Sequence, residues 1–136
     1  LIKMAEILSV EMSAFFQEFG EVQHRIIFTE AEAVPIQLPD MPKDSISAKL
    51  LTSLDTEARV EPYLIEVHPK GTLPSHFFVH KGEEIGYVLS GKLQMKVGAA
   101  TNTARSGDVV YLKSEIPSQW KNPGTTSARI LWLKIK

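Results

Sequence analysis

A chain of 136 residues with 43% apolar content and a formal net charge of −1 is long enough for one domain that buries about two-thirds of its unfolded surface. It has no cysteine, which excludes a disulfide framework and thiol chemistry. No run approaches the ~20 apolar residues of a membrane span, so no membrane association is expected and the expected setting is cytoplasmic. The charge is uneven. Up to Pro69, five Lys and Arg stand against twelve Asp and Glu, and from Lys70 onward ten stand against four, giving halves of −7 and +6. Two solvated, complementary faces account for this, since Lys scattered along strands protects sheet edges. A β-domain biased toward an anionic ligand is the sharper alternative.

In chain order, residues 1 to 19 read as helical. Leu1, Met4, Ala5 and Leu8 fall at i, i+3, i+4 and i+7, one helix face. Ser9-Val10 interrupts, Glu11 to Phe19 forms a second short helix with Phe15, Phe16 and Phe19 as bulk, and Gly20 ends it. By itself this is a helix packed on a larger body. Glu21 to Pro42 is transitional. His24 to Phe28 has strand character, whereas Ala31 to Pro39 holds two prolines and cannot be a central strand. It is read as an extended linker along a sheet edge. Ser45 to Leu54 is a strand with Ile46, Ala48 and Leu50 on one face. Asp55 to Ala58 turns. Val60 to His68 is a strand in which Tyr63, Ile65 and Val67 alternate with Leu64, Glu66 and His68.

Seven of the eight glycines follow Lys70, and their spacing punctuates short strands in the manner of a sandwich or barrel rather than of βαβ units. His76 to His80 reads as a strand, with period two placing His76, Phe78 and His80 on one face. Lys81-Gly82 turns, Ile85 to Leu89 is the next strand, and Gly91 reverses the chain into Lys92 to Val97. Thr101 to Ala104, Val109 to Leu112, Ser118 to Asn122 and Ala128 to Ile135 complete the set. There is no internal repeat. No serine stands in a Gly-x-Ser-x-Gly elbow, and no glycine-rich phosphate loop precedes a helix.

The stretch from Gly71 to Gly91 resembles the first conserved motif of the cupin family, a Gly leading to a His-x-His pair, then a Glu, then a closing Gly. His80 takes the second His position, Glu84 the Glu position and Gly91 the closing Gly. The second cupin motif resembles Gly107-Asp108 to Asn122. The resemblance covers roughly residues 46 to 135 and implies a mainly β, cupin-type jelly-roll barrel (a double-stranded β-helix). It also implies a metal site drawn from positions 78, 80, 84 and 118. Phe78 and Ser118 replace two of those ligands. His80 and Glu84 remain, with His76 a possible third about 7 Å along the strand. A catalytic metal wants three or more protein ligands, so no metal, cofactor or catalytic residue is expected. A small-molecule pocket lined by His76, Phe78, His80, Glu84, Ser118 and Trp120 is expected instead. The plainer alternatives are that His80 and Glu84 pin a hairpin and that Trp120 is core.

The segment from Leu1 to Phe19 resembles the last two helices of the Xre (lambda-repressor-type) helix-turn-helix domain, with Leu1, Ala5, Leu8, Val10, Phe15 and Phe16 at its apolar positions. That implies a DNA-reading helix upstream of Leu1. The expected organisation is the end of a DNA-binding domain over 1–20, linker and edge strands over 21–44, and a cupin barrel over 45–136. The expected function is the effector-sensing, homodimerising half of a transcriptional regulator, not an enzyme, whose partners are a small molecule and operator DNA. Two alternatives stand beside it. One is a metal-dependent dioxygenase or isomerase built on His76, His80 and Glu84. The other is an inert barrel filled by Phe78, Val88, Met95 and Trp120.

Overall fold

The computed structural model describes residues 25–39, 41–54, 58–78 and 82–136. The helices expected over 1–19, the His24 end of the first strand candidate, and most of the Asp55 to Ala58 turn lie outside these. The described residues form ten strands: β1 Val34–Ile36, β2 Ile46–Leu50, β3 Val60–Val67, β4 Thr72–Leu73, β5 Glu83–Ser90, β6 Lys92–Val97, β7 Ala100–Arg105, β8 Val109–Leu112, β9 Gln119–Lys121 and β10 Ala128–Ile135. They make two antiparallel sheets, a six-stranded one in the order β8-β5-β10-β3-β2-β1 and a four-stranded one in the order β4-β9-β6-β7. This is the jelly-roll arrangement, in which the chain crosses repeatedly from one sheet to the other. Among the described residues no helix is long and apolar enough to cross a membrane.

Alternation in the sequence is what gives each strand an inside. On β3, Tyr63, Ile65 and Val67 are buried, and on β10 so are Ala128, Ile130 and Trp132. Those rows meet Ile46, Ala48 and Leu50 of β2 on one side and Val88 of β5 on the other, and the short sheet closes over them with Leu73, Leu93, Met95 and Trp120. Trp120, Trp132, Ile65, Leu73 and Val67 are at most 2% exposed, so the middle of the barrel is filled by side chains. As expected of a segment holding Pro35, β1 lies at an edge of its sheet and pairs only with β2, Pro35 opposite Lys49.

Two expectations are corrected: residues 25–28, the described part of the His24 to Phe28 candidate, form no strand, and neither does the histidine-bearing stretch after β4. The strand read over His76 to His80 is absent from its described part: β4 stops at Leu73, and residues 74–78 are irregular. His76 and Phe77 are adjacent, yet both are buried, and a pleated strand cannot send neighbouring side chains to the same side. Pro74 has no N–H for a ladder. The common face for His76 and Phe78 therefore does not form.

Two devices hold the turns that frame the barrel. Gly91 sits at φ +80°, and a Cβ there would come within 2.9 Å of the Ala128 Cα and the Ser127 carbonyl oxygen, so both conformation and space demand glycine. Asn122 is fully buried. Its side-chain amide donates to the carbonyls of Val67 and Thr126, both at 2.9 Å, and its side-chain oxygen accepts the Gly124 N–H at 2.9 Å. A single buried side chain thus satisfies three backbone groups.

Candidate functional site

The centre of the barrel is aromatic, and backbone register explains how. Gly86 on β5 lies directly opposite Trp132 on β10. A Cβ at Gly86 would collide with Cε3 and Cζ3 of the Trp132 ring, so the glycine is the space in which the indole lies. Trp120 arrives from β9 in the other sheet and meets Trp132 edge-on, with centroids 5.7 Å apart and planes at 87°. Phe77 from the 74–78 loop stacks on Trp120 at 4.5 Å and meets Trp132 edge-on at 5.2 Å. Stacked and edge-to-face pairs of this kind add to the area they bury.

Threaded through this apolar cluster is a chain of polar groups, four of them among the described residues. Trp120 donates its indole N–H to Nδ1 of His76 at 3.1 Å. Nε2 of His76 lies 2.9 Å from both carboxyl oxygens of Glu84. Trp132 donates its indole N–H to Oε1 of Glu84 at 2.7 Å. Indole nitrogen can only donate. Nδ1 of His76 must therefore be the acceptor, the imidazole proton must sit on Nε2, and that proton points at Glu84. The two indoles leave the His–Glu pair one low-energy arrangement, a neutral imidazole and an accepting carboxylate. His76 is 7% and Glu84 5% exposed, which makes each of these bonds costly to break.

Above Glu84, at the end where β5 starts and β10 finishes, the inward positions turn polar. Lys134 lies opposite Glu61 on β3 and opposite Glu84 on β5. Its Nζ is 3.4 Å from Glu61 and sits over the Phe78 ring, 4.6 Å from the centroid. Phe78 packs on Tyr63 at 4.7 Å. Glu61 also faces Lys136 at 3.4 Å and accepts the Tyr63 hydroxyl at 3.0 Å. Burial, then the bond to Glu61, pushes the Tyr63 phenol up from 10.0 to about 12. A pKa raised on folding means that the native state holds the proton longer. This contribution to stability is whole below pH 10, and it drains away as pH climbs toward 12. We expect alkaline absorbance titration to show a phenol ionising near 12 that is missing from Tyr63→Phe. A variant whose curve matched wild type would disprove the assignment.

Of the residues singled out in the sequence, His76, Glu84 and Trp120 come together. Phe78 is half-buried at the mouth beside Lys134. Ser118 is exposed and lies outside the buried cluster. His80 lies outside the described residues. Phe77 and Trp132 were not among the site residues expected from the sequence. Trp132 carried a usable signal, because it shares the inward parity of Ala128 and Ile130 on a clearly alternating strand. Phe77 carried none, since its burial depends on the irregular loop. Open space lies elsewhere as well: a groove of about 430 Å³ runs between β7 and β8, lined by Met95, Val97, Ala104, Val110, Leu112 and neighbours.

His76, the candidate third ligand, is not set up to bind a divalent metal as it stands. A histidine that binds metal through Nε2 carries its proton on Nδ1 and donates it to a second-shell acceptor. Here Nδ1 faces a donor, and Nε2 carries the proton instead. Among the described residues no group of three His, Cys, Asp or Glu is placed to hold a metal ion.

The cupin domain family matches residues 63–134, more than half of the chain, and the chain belongs to that family. Solved structures agree on the fold. The polyketide cyclase RemF from Streptomyces resistomycificus superposes with a TM-score of 0.64 at 20% identity, over 84% of this chain and 80% of its own. The cupin domain of an XRE family transcriptional regulator from Enterobacter cloacae gives 0.59 at 20% identity, over 68% and 97%. AerE from Microcystis aeruginosa gives 0.61 at 21% identity over 76% of this chain, which spans only 45% of AerE. No curated protein matches the sequence.

Proposed function

We propose that this barrel is the ligand-sensing, dimerising half of a transcriptional regulator, joined through its N-terminal segment to an Xre-type DNA-binding domain, and that it binds a small molecule without converting it. The observation that carries the non-catalytic part is the tautomer imposed by Trp120, which removes the lone pair that a metal would need from His76. The Leu1, Ala5, Leu8, Val10, Phe15 and Phe16 pattern supports the attachment, as does the likeness to a cupin domain taken from an XRE family regulator. The ligand would meet Lys134, Phe78 and Tyr63 at the mouth, a cation beside two ring faces. Its binding would shift the pairing of two barrels and so the spacing of their DNA-binding heads, with two-fold symmetry suited to near-palindromic operators.

Metal analysis of protein purified without chelator or affinity metal tests this, together with melting curves in manganese, iron, nickel and zinc. Metal-free protein with an unmoved Tm is expected, followed by a Tm rise with one class among small carboxylates, amines and amino acids. A stoichiometric ion that is lost in His76→Ala would overturn it in favour of an enzyme. One observation favours that second reading. The 2.9 Å between His76 Nε2 and each Glu84 oxygen is also the spacing of two neighbouring ligands on one ion with bonds of about 2.1 Å. Such an ion would first have to displace the Trp120 bond.

A further inference from the structure

The charge asymmetry noted in the sequence has a specific location. The four strands of the short sheet contain no Asp or Glu and four cations, Lys92, Lys96, Arg105 and Lys121. All four point outward, because Leu93, Met95, Ala104 and Trp120 take the alternate, buried positions. Among the described residues no carboxylate pairs with any of the four charged heads. Lys92 and Arg105 are directly opposed across β6 and β7, a like-charge pair that destabilises a sheet unless something neutralises it.

That pair sits at the end of the barrel opposite His76 and Glu84, six residues and so roughly 20 Å further along β5. Three turns meet there around a hollow of about 380 Å³, lined by Lys92, Arg105, Ser106 and the 124–126 turn. The Lys92 stem runs past Gly124. The Thr125 and Thr126 hydroxyls make no hydrogen bond within the described chain. Asp108, the carboxylate nearest in sequence, is turned to the Arg105 backbone N–H at 2.8 Å.

We propose that this hollow is a second binding site, one that takes the phosphate group of a small phosphate monoester. A guanidinium fork and an ammonium supply charge-assisted bonds to a tetrahedral oxyanion, and the two threonine hydroxyls add neutral donors. Lys96 and Lys121 on the same face keep the approach positive. The site is independent of the hydrogen-bonded chain in the barrel and of the regulator proposal.

The test is titration with inorganic phosphate and with glycerol phosphate, followed by backbone amide NMR and by Tm at fixed ionic strength. Saturable shifts at Lys92, Arg105, Thr125 and Thr126 are expected, with a Tm rise that chloride does not reproduce. Arg105→Glu should weaken phosphate binding by about tenfold or more, one charge-assisted contact's worth. It should also raise the Tm in phosphate-free buffer, since a glutamate opposite Lys92 turns repulsion into a pair. Lys92→Gln, which keeps the stem over Gly124, should weaken binding in the same direction. A merely solvated face would leave phosphate and chloride equivalent in every protein, and that result overturns the proposal. So does duplex DNA binding through these residues while both phosphate probes are inert, because the site would then be a backbone contact for nucleic acid.

Discussion

Replacing Glu84 by alanine is expected to lower the free energy of unfolding by about 3–5 kcal/mol, the range seen when one partner of a buried pair is removed. In a barrel of this size that is on the order of 15 °C in Tm. The His76 Nε2–H and the Trp132 indole N–H would be left pointing into an apolar cluster, each at a cost of about 1–3 kcal/mol. Glutamine tests the orientation of the chain as well as its existence. Its side-chain oxygen can still accept from Trp132, but its NH2 group would meet the Nε2–H of His76, and the imidazole cannot turn its proton to Nδ1 while Trp120 donates there. Glu84→Gln should therefore be destabilising in the wild-type background and markedly less so in Trp120→Phe. Urea unfolding of the four proteins measures this coupling directly. Additivity within about 0.5 kcal/mol would mean that Trp120 does not set the tautomer.

A single methyl at position 86 should cost about 2–3 kcal/mol, near the upper end for overpacking. The added carbon would collide with the Trp132 ring, and Trp132 is fully buried with Phe77 and Trp120 against it. The ring cannot retreat without pulling its N–H away from Glu84. Trp132→Val alone should be costly too, by roughly 3–5 kcal/mol for the lost volume. With the ring gone, though, alanine at 86 loses that clash and keeps one close neighbour, Ile130 Cγ2 at 3.4 Å. The double variant should be clearly more stable than the sum of the two losses implies. Equal costs for Gly86→Ala in both backgrounds would show that the glycine is there for some other reason.

Much of this architecture was legible because alternation is a local property. Val109–Leu112, Lys92–Val97 and Ala128–Ile135 can be read from the sequence at their observed limits, and Pro35 and Pro39 mark an edge. The two cupin motifs place Glu84, Gly91 and Asn122. The pairing of His76 with Glu84 was not legible, since it depends on a loop that abandons period two and buries His76 and Phe77 side by side. The close fit of Trp132 over Gly86 was hidden for a different reason. It is a matter of register between strands more than forty residues apart, and no spacing rule within one strand reports it. The charge split was visible as a number, but only the strand pairing shows that four of those cations share the outer face of the short sheet with no carboxylate on its strands.

The proline at the rim of the six-stranded sheet bears on how copies of this protein can meet. β1 is three residues long with Pro35 at its middle, so it presents an incoming strand with a short ladder that lacks one N–H donor. At the other rim, β8 is four residues long, and just past its end Glu115 accepts the backbone N–H groups of Lys113 and Ser114. Neither rim is a good template for templated strand growth of the amyloid kind. Among the described strands the remaining long edge is β7, six residues without proline at the border of the short sheet, so any growth by strand pairing would have to start from that sheet and not from the six-stranded one.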